Sequence, residues 1–131
     1  MHKSIIVLIL LTAMQTLVLA VNSQEFVIGT VTNDKGGAGC RFSSTDDSGK
    51  LVLFDDAVAE VAWINLDGHD VKIEMVSNNR PSHRHNMEFR ADGVKVSLIL
   101  KVDRKGTETG KLVVKRNGKT KTVKVKGGCG C

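Results

Sequence analysis

The sequence predicts an all-β protein, an antiparallel meander forming a small barrel or sandwich after an N-terminal signal peptide. Three observations predict it. Apolar residues recur at every second position over most of the chain, three dipeptides of hairpin type separate such runs, and almost no segment carries helical spacing. In chain order, Phe26–Val31, Cys40–Ser43 and Lys50–Phe54 are the expected early strands. Asp55–Glu60 has room for one helical turn, with Asp at its start favoured by the helix dipole. Glu60–Leu66 and His69–Val76 flank Asp67-Gly68, and Met87–Ala91 and Val94–Val102 flank Asp92-Gly93. Lys111–Arg116 and Thr120–Lys126 flank Asn117-Gly118, a pair that tolerates the positive φ angles a type I′ turn requires. The strand Val94–Val102 is the clearest, with Val94, Val96, Leu98, Leu100 and Val102 on one side and Lys95, Ser97 and Lys101 mainly opposite. Trp63, a lone aromatic within a strand, is expected to pack inward.

Composition sets the scale. The chain has 131 residues, 41% apolar and 25% charged, with a single Pro, which fits one ordinary domain and excludes collagenous, disordered and multi-span membrane classes. Aromatics are 4%, with no Tyr, so Val, Leu and Ile must build most of the core. Met1-His2-Lys3-Ser4 precedes an uncharged run from Ile5 to Val21 and then polar Asn22-Ser23, the pattern of a secretory signal peptide. Cleavage is expected after Ala20, with Ser23 as the alternative, giving a signal peptide over 1–20 and one β domain over 21–131. The run is short for a membrane anchor and is interrupted by Thr12 and Gln15, so no stable span remains after processing. The expected location is periplasmic or extracellular.

Export makes the three cysteines, Cys40, Cys129 and Cys131, disulfide candidates. A bridge from Cys40 to one of the terminal pair would close a loop of about 90 residues and tie down a Gly-rich tail. One thiol is then left over. A Cys129–Cys131 ring would suggest thiol–disulfide exchange, and the same thiolates with His83 and His85 would make a soft set for Zn or Cu(I). Nothing in the sequence brings the tail to those histidines, so no metal and no cofactor is expected.

Charge divides the mature chain in two. From Val21 to Gly93 there are seven Lys and Arg against twelve Asp and Glu, whereas Val94 to Cys131 has eleven against two. Lys95, Lys101, Lys111, Lys115, Lys124 and Lys126 therefore mark a candidate anion-binding surface, for an anionic polymer, an envelope component or another protein. The plainer reading is a solvated sheet face kept soluble by lysines. Nucleic acid is not expected, because this half contains no aromatic residue on which bases would stack. Arg80, His83, Arg84 and His85 lie in the polar stretch Ser77–Asn86, a second candidate site in an expected loop. Asn65–Asp70 offers an amide and two carboxylates around Gly68, but a hairpin explains it without calcium. No nucleophile elbow or other catalytic signature occurs, so a non-catalytic binding module is expected.

Three stretches carry a family likeness: Gly39–Ser43, Ala62–Lys72 and Thr122–Cys131 with its closing Gly-Cys-Gly-Cys. With them the chain resembles small exported bacterial proteins that end in Gly-Cys-Gly-Cys, a group with no known activity. The resemblance implies bacterial export and nothing about chemistry. A looser analogy is with small periplasmic lysozyme inhibitors, also disulfide-tied β-proteins, although none of their inhibitory motifs is recognisable in this sequence.

Overall fold

In a computed structural model that describes residues 25–130, the chain forms a closed antiparallel barrel of eight strands. The expected signal peptide and Cys131 lie outside the described residues. The strands are β1 (Gly39–Ser44), β2 (Leu51–Asp56), β3 (Val61–Leu66), β4 (His69–Asn79), β5 (Arg84–Ala91), β6 (Val94–Val102), β7 (Glu108–Arg116) and β8 (Lys119–Gly130). Each pairs with its sequence neighbour, and β8 returns to pair with β1. Of the two architectures compatible with the alternation, the barrel is the one formed. Its closure leaves no unpaired sheet edge.

The period-two pattern supplies the core. Phe42, Leu53, Ile64, Ile73, Met87, Phe89, Val96, Leu98, Leu100, Leu112, Val114 and Val125 are buried in one cluster, so the aliphatic strand faces fill the barrel. Most charged residues are exposed on the outer face, the reverse of the apolar exterior of a membrane barrel. Asn117-Gly118 and Asp67-Gly68 have φ of 51° and 74°, and of 54° and 85°, as type I′ turns demand. At Asp92-Gly93 only the Gly, at 71°, is left-handed, so that turn is of another kind.

One end of the barrel is sealed by the segment before β1. Phe26, Ile28 and Val31 are buried, yet Phe26–Val31 forms only an isolated bridge, Ile28 with Leu66, rather than the expected strand. Its backbone is held by main-chain bonds, Gly29 N to Asn65 O, Val31 N to Leu51 O and Asp67 N to Val27 O, and by side chains. Asp67 Oδ1 accepts from Val27 N at 2.9 Å, and Asp70 accepts from Thr32 N and Oγ1. Lys50 Nζ donates to Ile28 O at 2.8 Å. The carboxylates of the Asn65–Asp70 stretch are thus occupied in clamping this strap and in an ion pair from Asp67 to Arg116.

Three further expectations need correction. Trp63 is half-buried on the outer face, because it pairs with Phe54 and Lys72 while its neighbour Ile64 takes the inward position. Phe54 is also outward, fully buried under the Arg41 guanidinium 4.5 Å from its ring. Asp34 fixes that guanidinium at Nε and Nη2, and the pair lowers the Asp34 pKa to about 2, helped by the Gly36 backbone N–H. The helical turn expected over Asp55–Glu60 is instead the end of β2 and a tight turn, with Asp56 Oδ1 accepting from Val58 N and Ala59 N. Ser77–Asn86 is mostly strand. After a bulge between Met75 and Ser77, Ser77, Asn78 and Asn79 pair with Glu88, Met87 and Asn86, which shortens the connection to 80–83.

Candidate functional site

Alternation and register build a basic wall on the outer face of β5–β8. Met87, Phe89, Val96, Leu98, Leu112 and Val125 point inward, so their sequence neighbours point to solvent. Register then aligns those neighbours into rows across four strands. Arg84, Lys101, Thr109 and Lys126 form one row, and Asn86, Ile99, Lys111 and Lys124 the next. Glu88, Ser97, Val113 and Thr122 follow, and then Arg90, Lys95, Lys115 and Thr120. The structure therefore brings together all six expected lysines, Lys95, Lys101, Lys111, Lys115, Lys124 and Lys126, and adds Arg84 and Arg90. All eight are exposed.

Like charges face each other directly in this wall. Arg84 opposes Lys101, Arg90 opposes Lys95, Lys95 opposes Lys115, and Lys111 opposes Lys124. Such cross-strand pairs destabilise a sheet. Elsewhere three cations have carboxylate partners, Arg41 with Asp34, Arg116 with Asp67, and Lys121 with Glu25. Among the described residues none of the eight wall cations has a carboxylate partner within salt-bridge distance.

Two shallow clefts interrupt the wall. One, of about 490 Å³, is lined by Arg84, Asn86, Ile99, Lys101, Thr109, Lys111 and Lys124. The other, of about 550 Å³, lies between the β5–β6 and β7–β8 turns against Arg90, Lys95, Lys115 and Arg116. The cleft at Ile99 combines both kinds of surface. Ile99 is 42% exposed between Asn86 on β5 and Lys111 on β7.

No family model, no curated protein and no solved structure matches this chain.

The second sequence candidate is divided by the strands. Arg84 joins the basic wall, whereas His85, its neighbour, points into the barrel and is 2% exposed. His85 Nδ1 lies 3.1 Å from Glu108 Oε1, and Nε2 lies 2.8 Å from Arg80 Nε and 2.9 Å from Asn78 Oδ1. Accepting from Arg80 requires a bare Nε2, which places the proton on Nδ1 and makes it the donor to Glu108. Donating to Asn78 instead requires a protonated Nε2, so that nitrogen serves one partner at a time. Arg80 is thereby folded over the open end of the barrel. His83 stands apart, exposed, with φ of 61°.

The disulfide closes the same end. Cys40 is bonded to Cys129, and the two are direct partners across β1 and β8. Cys129 is therefore engaged, and among the described residues no group of three His, Cys, Asp or Glu is placed to hold a metal ion. Asp55 sits beside Cys40 in register, and burial first, then the neighbouring Asp56, raises its pKa against the opposing pull of His85.

Sequence reasoning missed Arg90, Glu108 and Asn78. Arg90 was readable from the inward Met87 and Phe89 on the same strand. Glu108 carries the signal of being one of only two acids in the basic half of the chain.

Proposed function

We propose that the protein is an exported, disulfide-tied β-barrel that binds an anionic polymer of the cell envelope or its surroundings through the outer face of β5–β8. The observation that supports this reading is the set of four directly opposed like-charge pairs. Solubility needs lysines, but it does not need them set directly opposite one another across neighbouring strands. A polyanion laid on the face relieves that repulsion and releases its own counterions, so binding weakens as salt rises.

A Cys40–Cys129 bridge fits an oxidising compartment and hence export. Thiol exchange or soft-metal binding at Cys129 and Cys131 draws less support, because Cys129 is joined to Cys40.

The test is retention of the oxidised protein on a sulfated matrix across a salt series. Elution at a salt concentration well above that of a Lys111→Glu/Lys124→Glu variant supports the proposal. Co-elution of the two proteins, or passage of both through the column unretained at low salt, overturns it.

A further inference from the structure

The basic wall is not uniform, and its unevenness says more about the ligand than its charge does. Charge alone would be served by any polyanion. Ile99, however, is an aliphatic side chain exposed in mid-strand, directly opposite Lys111 on β7 and Asn86 on β5. The next outward positions along β6 are Ser97 and Lys101, and the cleft around Ile99 also presents the Thr109 hydroxyl. An apolar floor, a hydroxyl, an amide and a rim of cations occur together within one cleft.

We propose that this cleft seats a sugar ring of an anionic saccharide chain, which the basic wall holds along its length; the proposal rests on the anionic-polymer reading above. A pyranose ring has an apolar C–H face, which suits Ile99, and edge hydroxyls, which suit Asn86 and Thr109. Its carboxylate, sulfate or phosphate substituents reach Lys101, Lys111 and Lys124. Lysines are compact point charges without the planar fork of arginine, so they favour dense negative charge over one particular acid group. The upper cations Arg90, Lys95 and Lys115 lie beyond a row that carries Glu88, Ser97 and Val113. From Lys101 to Lys95 the strand runs about 20 Å at roughly 3.3 Å per residue, so a chain must be several sugars long to touch both groups.

Other occupants fit less well. A lipid bilayer would need an apolar group at a protruding loop tip, and Ile99 is in the middle of a barrel wall. A single-stranded nucleic acid would need aromatic rings for its bases, and the face has none.

The experiment compares size-defined heparin oligosaccharides with linear polyphosphate, a chain of similar charge without rings, on the wild type and on Ile99→Ser. Ile99 faces solvent, so the variant keeps the fold, and an unchanged melting temperature verifies it. The expected result is that Ile99→Ser weakens heparin binding about fivefold, as loss of a small apolar contact does, and leaves polyphosphate binding unchanged. Heparin affinity should also rise with chain length until the oligosaccharide spans both cation groups. Equal weakening for both ligands, or none for either, overturns the saccharide proposal while leaving the anionic-polymer reading intact. Failure of the wild type to bind either ligand at low salt removes both.

Discussion

Cys40 lies directly opposite Cys129 at the point where β8 meets β1, so the disulfide spans the one seam of the barrel formed by strands far apart in sequence. The other strand pairs are joined by short connections. The bridge closes a separation of 89 residues, for which the chain-entropy relation gives about 4 to 5 kcal/mol. Its removal should act on the seam first. In a Cys40→Ser/Cys129→Ser variant, the urea midpoint should fall by an amount corresponding to about 2 to 5 kcal/mol. Hydrogen exchange should show β1 and the last residues of β8 losing protection ahead of β5 and β6. Uniform loss of protection would refute the seam assignment.

Two glycines let the strands approach at this end. A Cβ on Gly110 would collide with the Ile99 carbonyl oxygen, and one on Gly127 would collide with the Arg41 carbonyl oxygen. Both obstacles are backbone, which cannot swing aside as a side chain can. Gly110→Ala and Gly127→Ala should each cost about 1 to 3 kcal/mol, the range for overpacking. Gly130→Ala, where a Cβ meets nothing within 4 Å, is the control and should leave the unfolding midpoint nearly unchanged.

The open end of the barrel depends on His85 and Glu108. Their side chains are 3% and 12% exposed, so truncating either one strands the other in a dry setting. Glu108→Ala should cost about 1 to 3 kcal/mol, and His85→Ala should cost a similar amount. The double variant should lose less than the sum of the two, and chemical denaturation of all four proteins measures that coupling. Additive losses would show that the two side chains act independently.

Asp55 makes a pH-dependent prediction with a defined sign. Burial raises its folded pKa above the unfolded value, so the native state favours the protonated acid. The contribution is stabilising below the unfolded pKa and is lost as pH rises through the folded one. Asp55→Asn keeps a neutral side chain at every pH. The variant should therefore melt higher than wild type at pH 7, with the difference shrinking towards pH 3. Asp34 behaves oppositely. Its pKa is lowered to about 2 by Arg41, so its stabilisation persists at neutral pH and fades as pH falls from about 4 towards 2. Asp34→Asn should flatten that acid limb of the melting-temperature profile.

What the sequence made legible follows from the range of the interactions involved. Alternation along Val94–Val102 and the turns at Asp67-Gly68 and Asn117-Gly118 are local, and each was readable. The lysine face was readable too, because outward position follows from inward neighbours. Closure was not, since a sandwich and a barrel share the same alternation and only the pairing of Cys40 with Cys129, Arg41 with Gly128 and Phe42 with Gly127 separates them. Ser77–Asn79 read as loop because no apolar residue marks them, yet strand pairing needs only backbone. His85 and Trp63 exchanged their expected environments for one reason, which is strand phase. Met87 and Phe89 carry His85 inward, whereas Ile64 turns Trp63 out.

Lys111 and Lys124 offer a prediction that separates binding from mere solvation of a sheet face. They oppose each other on β7 and β8, and their repulsion works against that pairing. Lys124→Glu converts the pair to an opposite-charge one. Stability should rise by about 0.2 to 1 kcal/mol, measured by urea unfolding at low salt, and the gain should shrink as salt screens it. If the wall binds a polyanion, the same substitution should lower the salt concentration at which the protein leaves a sulfated column. A residue that weakens the fold and strengthens binding is held for its ligand, because solubility alone is served as well by a glutamate as by a lysine. Gain of stability with unchanged retention would assign the lysines to solvation, and loss of stability would show that the cross-strand repulsion is not felt.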